Sequence, residues 1–212
     1  MREPTWVANR ANSRNMILRF IHTGLQTADR VFRFRPPSLH DPTWPILWRM
    51  RGSEKQAQVL RSPMVPDSVV AEIARHDWER IECGCGRSAG HLVDAVRDAA
   101  EGHPAAFHAL EGHAFFAQHL KPPAPAVCAV LMAVWSVQPP RRATREALLW
   151  TLLALLCTVD DGGTHEAGLH GQCAAFIRTG VDGFRRELAA VPGSGTAAYA
   201  EGILEILGLP SS

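Results

Sequence analysis

Two apolar runs separated by a short proline turn set the tightest limit on what this chain can fold into. Residues 126–137 read AVCAVLMAVWSV and residues 147–159 read ALLWTLLALLCTV. As helices they would reach roughly 18 and 20 Å, against about 30 Å for a bilayer core, so neither is long enough to span a membrane. Pro139-Pro140-Arg141-Arg142 stands between them. The expected arrangement is therefore a buried helical hairpin in a soluble protein, ahead of a dimer interface or a membrane insertion. The second helix, from about residue 145, is apolar on every side and is the expected centre of the core.

The segments around this hairpin carry helix punctuation. Asp67 and Ser88 stand where N-caps of helices over 67–81 and 88–101 would be, and Gly102 supplies a stop. Pro104 suits the first turn of a helix over 104–120, and Pro125 opens the first apolar run. Thr164 is expected to cap a helix to residue 178. Gly180 and Pro192-Gly193 bracket another, and the last follows Thr196 until Gly208 and Pro210. Only two short words hint at strands. The expected fold class is all-α: a compact multi-helix domain with a central hydrophobic helix pair, plus an N-terminal helix and an irregular arm.

The division at residue 66 rests on charge and proline content. Residues 1–66 hold 11 Arg/Lys and 4 Asp/Glu, a balance of +7, and residues 67–212 hold 11 and 17, a balance of −6. The formal net charge of +1 hides this polarity. Residues 14–32 form an amphipathic pattern, and residues 34–66 contain six prolines. The expectation is an N-terminal helix and proline-rich basic arm over 1–66 and a helical core domain over 67–212. The opening residues lack the apolar stretch of a secretory signal, and five cysteines in a chain of 212 do not suggest a disulfide scaffold. A cytoplasmic protein with reduced thiols is expected.

The most chemically suggestive segment is Cys83-Gly84-Cys85-Gly86-Arg87-Ser88-Ala89-Gly90-His91. Two thiols beside a helix start and an arginine favour thiolate character. Structural zinc sites usually place two to four residues between paired cysteines, so this pair is at most half of a site. A second half is sought in residues 165–173, where Glu166, His170 and Cys173 would share one face of a helix. The expected zinc site joins Cys83, Cys85, His170 and Cys173, with Glu166 or His91 as alternative ligands. The competing reading makes CGCG a tight turn and Cys128, Cys157 and Cys173 small core residues.

Other groups point less far. His103 and His113 read as surface or hydrogen-bonded residues rather than ligands. Asp160-Asp161 resembles a magnesium-binding pair, but no second acidic segment accompanies it and capping explains the residues equally well. Arg14, Arg30 and Arg33, together with aromatic residues of the front, are suited to phosphate and base contacts.

Three functional classes follow. The preferred one is a regulatory or protein-interaction module, zinc-stabilised and self-associating through its basic arm, with a protein partner or a second copy as its ligand. The alternative is a metal- or thiol-dependent enzyme built on Cys83 and Cys85 with Glu166, His170 and Cys173. The third is a nucleic-acid-binding regulator using Arg14, Arg30 and Arg33.

Overall fold

The computed structural model describes residues 65–116, 119–158 and 168–210. The expected N-terminal helix and arm, including Arg14, Arg30 and Arg33, fall outside the described residues, as do Asp160, Asp161, Thr164 and Glu166.

Among the described residues there are eight α-helices: α1 (Asp67–Ala74), α2 (Leu92–Ala100), α3 (Pro104–His108), α4 (Ala124–Ser136), α5 (Arg142–Cys157), α6 (Leu169–Arg178), α7 (Val181–Ala190) and α8 (Gly195–Ile206). A 3-10 turn over Ala89–His91 leads into α2. A two-residue antiparallel hairpin, β1 (Phe115–Phe116) and β2 (His119–Leu120), is the only sheet among these residues. The all-α architecture and its apolar helix pair are thus present, with α4 and α5 packed together.

The centre of the core is α4 rather than α5. In α4, 11 of 13 residues are buried, and α1, α2, α5 and α6 all pack on it. In α5, 8 of 16 are buried. Composition explains the order: α4 carries Ser136 as its one hydroxyl and no charge, whereas α5 turns Arg142, Arg145 and Glu146 away from the apolar interior. Buried hydroxyls of α5 are satisfied locally. Thr151 donates to the Ala147 carbonyl at 2.8 Å, and Thr144 donates to the Gly102 carbonyl at 3.2 Å, tying the end of α2 to α5.

The proline turn between α4 and α5 is held by Arg145. Its Nη1 donates to the carbonyls of Pro139 and Pro140 at 3.0 and 3.1 Å, and its Nε lies 3.3 Å from Glu187 on α7. One cation therefore satisfies two carbonyls that have no helical partner and pairs with a largely buried carboxylate.

Helix ends follow their punctuation where a glycine closes them. At the end of α8, Leu209 N–H reaches the Leu204 carbonyl at 2.9 Å and Gly208 N–H reaches Glu205 at 3.0 Å, a Schellman motif. The same pair of bonds closes α2, from His103 to Asp98 and from Gly102 to Ala99. At the start of α8, Ser194 Oγ accepts from Ala197 N–H at 3.2 Å. Ser194→Ala is expected to cost about 1 kcal/mol, a fall of roughly 2–4 °C in melting temperature, measured by calorimetry.

Two expected helices are much shorter than their patterns suggested. The helix begun at Asp67 ends at Ala74, because Trp78 folds back and donates from its indole to the Ile73 carbonyl at 2.8 Å. The helix begun at Pro104 ends at His108 instead of running to residue 120. Gly112 adopts φ +81°, which breaks the helical path, and the chain turns into the β1–β2 hairpin. Ser88 is not a side-chain cap, since its hydroxyl donates to Glu79 at 2.7 Å. The α6 helix starts at Leu169 with Gly168 at its N-cap, later than Thr164 implied.

Candidate metal centre

The hairpin left by the broken 104–120 helix meets the Cys83–His91 loop. Gly84 N–H donates to the His113 carbonyl at 3.2 Å, and a Cβ on Gly84 would lie 2.9 Å from that oxygen and 3.0 Å from the Gly112 carbonyl. Only glycine fits between the two backbones. The cysteine loop closes on itself: Cys83 N–H donates to the Arg87 carbonyl at 2.7 Å, and Gly86 N–H returns to the Cys83 carbonyl at 2.9 Å. Gly86 takes φ +78° in completing that turn. Both thiols therefore project from one short turn toward the hairpin.

Cys83, Cys85, His91 and His113 converge there, with their ligand atoms all within 4.8 Å of one another. Cys83 Sγ is 3.6 Å from His91 Nε2 and 3.3 Å from His113 Nδ1. Cys85 Sγ is 3.9 Å from His91 Nε2, and the two histidine nitrogens are 3.3 Å apart. Tetrahedral zinc with ordinary Zn–S and Zn–N bonds requires edges of about 3.5 Å between S and N and about 3.3 Å between N and N. The four contacts above lie close to those edges, so the cluster is geometrically consistent with a Cys2His2 zinc site.

The surrounding bonds fix the donors. His91 Nδ1 is 2.8 Å from the Ser88 carbonyl, which can only accept, so Nδ1 carries the proton and Nε2 turns its lone pair to the cluster. Ser88 is in turn held by its hydroxyl on Glu79. Cys83 is buried at 2 % exposure, while Cys85 is exposed. Burial, the largest influence on Cys83, raises its thiol pKa, whereas hydrogen bonds from Arg87 are the main cause that lowers Cys85 to about 6. A bound cation would favour the thiolate at both positions.

Of the ligands expected from sequence, Cys83, Cys85 and His91 come together, and His113 is the fourth member. His170 and Cys173 do not belong to the cluster. His170 Nε2 is 3.0 Å from the Leu156 carbonyl, and Cys173 is fully buried on α6 beside Cys128 of α4. Both therefore have roles in packing: a helix-to-helix hydrogen bond and a small core side chain. Glu166 lies outside the described residues.

The helical periodicity of residues 104–120 conceals His113, because a continuous helix would carry it away from the cysteine loop. Its signal was Gly112, immediately before it, together with the ordered spacing of a CxC pair, His91 and His113 along the chain. Because the two loops touch through bare backbone, Gly84→Ala is expected to push them apart and to weaken zinc binding by about tenfold or more. Competition against a chromogenic chelator would measure it. Comparison with protein-family models, curated proteins and solved structures finds no match to the chain.

Proposed function

We propose that residues 67–212 form a zinc-stabilised helical module that acts in regulation or protein interaction. The observation that carries this reading is the set of four protein donors, two thiols and two imidazoles, within 4.8 Å of one another. Catalytic zinc usually keeps one position open for water or substrate, whereas four protein ligands close the shell. Zinc here would join the Cys83–His91 loop to the hairpin at residues 111–121, two stretches with little regular structure of their own. Binding energy would therefore act as folding energy.

The site's position supports an interaction role. Phe116, at 62 % exposure, projects from the hairpin that carries His113, so the metal would order an apolar side chain at the surface. The acidic balance of residues 67–212 favours a protein or a second copy with a basic surface over nucleic acid as the partner. The basic front of this same chain is the proposed source in a self-associated form. Intact zinc thiolates need reduced cysteines, which fits the cytoplasm. Among the described residues no helix is long and apolar enough to cross a membrane.

The test is metal analysis of protein purified without chelator, followed by replacement with cobalt. One zinc per chain and a cobalt spectrum with tetrahedral d–d bands and sulfur charge-transfer absorption are expected. Folded protein that is free of zinc and takes up no cobalt would sink the reading.

A further inference from the structure

We propose that Cys83 and Cys85 are a site of reversible oxidation by hydroperoxides, at which a disulfide forms between them and the metal is released. The metal-release half rests on the zinc reading above; the oxidation itself does not. Three observations carry it.

First, the two sulfurs are one residue apart on a turn closed by the Gly86-to-Cys83 hydrogen bond, and they lie within 4.8 Å of each other. Second, their exposures differ. Cys85 is open to solvent and Cys83 is 2 % exposed, so a peroxide reaches one sulfur while the other is shielded and waits beside it. An accessible thiol with an adjacent resolving thiol is the arrangement that redox-sensing cysteines use. Third, Cys128 and Cys173 are fully buried, so a peroxide attacking the folded domain does not reach that pair.

The chemistry balances with a hydroperoxide as the oxidant. The Cys85 sulfur attacks the peroxide, an S–O bond forms, the O–O bond breaks, and the alkoxide or hydroxide leaves and takes a proton from water. Cys85 becomes a sulfenic acid. The Cys83 sulfur then attacks the Cys85 sulfur, the S–S bond forms, the S–O bond breaks, and hydroxide leaves. Together the two cysteines lose two electrons and the peroxide gains them. Disulfide sulfurs are poor ligands, so only His91 and His113 remain and the cation departs as Zn²⁺. A disulfide closed over one intervening residue is strained, and strained, exposed disulfides are readily reduced, which makes the step reversible by dithiols.

Trypsin cleavage after Arg80 and Arg87 isolates both cysteines in the peptide 81–87, with no other cysteine present. The intact protein is treated with a modest excess of hydrogen peroxide while zinc release is followed with a chromogenic chelator. It is then unfolded, alkylated, digested and weighed. The expected result is an 81–87 peptide that is lighter by two hydrogens and refuses alkylation, with zinc released in parallel. Both changes should reverse on adding a dithiol and zinc, and Cys128 and Cys173 should alkylate throughout.

If zinc is present at the start and 81–87 still alkylates at both cysteines, the proposal is overturned and the zinc reading stands. Oxygen retained on Cys85 while Cys83 still alkylates overturns it equally. A disulfide in 81–87 from protein that carried no zinc upholds the oxidation and removes the metal reading.

Discussion

His113→Ala is expected to yield protein that purifies without zinc and melts about 8–16 °C below the parent in the presence of micromolar zinc. The magnitude follows from linkage. A metal present at a thousandfold excess over its dissociation constant stabilises the folded state by about 4 kcal/mol, and each kcal/mol moves the midpoint of a domain this size by roughly 2–4 °C. His113 supplies one donor nitrogen, 3.3 Å from both Cys83 Sγ and His91 Nε2, so its removal opens the shell without touching the apolar core. A strong chelator should bring the parent down to the variant's midpoint and leave the variant unmoved. His170→Ala is the control: it gives up one hydrogen bond to the Leu156 carbonyl, at a cost of about 1 kcal/mol, and keeps its zinc. If His170→Ala lost the metal and His113→Ala retained it, the assignment of the site would be wrong.

These two histidines also show what could be read along the chain and what could not. Long apolar segments and glycine stops are local signals, so the α4–α5 pair and the end of α8 are legible as runs and terminators. Cys83, Cys85 and His91 are legible for the same reason, since all three fall within nine consecutive residues. His113 joins them from 22 positions beyond His91, and that approach depends on φ +81° at Gly112 and on the absence of a side chain at Gly84. Helical periodicity over 104–120 was real as far as burial goes: Phe107, Leu110 and Ala114 are all fully buried. Three residues spaced by three and four satisfy a helix pattern, yet a turn and a hairpin bury them equally well. Likewise, Glu166, His170 and Cys173 had an i, i+4, i+7 relation that made them look like a half-site. Shared helical face says nothing about which distant element the face meets, and for Cys173 that element is α4. Burial pattern identifies what is inside; the close approach of two loops is a tertiary property that no single window contains.

Trp135→Ala is expected to cost about 3–5 kcal/mol and to lower the midpoint by roughly 6–20 °C. Trp135 lies near the end of α4 at 1 % exposure and stacks on Phe184 of α7 with ring centroids 5.3 Å apart. Its indole fills the space over Gly183, where a Cβ would come 2.6 Å from Nε1 and 3.3 Å from Cε2. Gly183→Ala should therefore cost about 1–3 kcal/mol, because a rigid ring held by stacking cannot yield as a flexible side chain would. The two effects are coupled, and the coupling gives the decisive measurement. Trp135 Nε1 is buried with no hydrogen-bond partner, so Trp135→Leu removes the Nε1 edge that stands over Gly183 without breaking a bond. In that background Gly183→Ala should lose most of its cost, giving a favourable interaction energy of about 0.5–3 kcal/mol in a double-mutant cycle by denaturant unfolding. Additive effects would mean that the indole does not hold α7 against α4. Neither substitution touches the cysteine loop or the hairpin, so zinc stoichiometry should stay unchanged in every folded variant of the cycle.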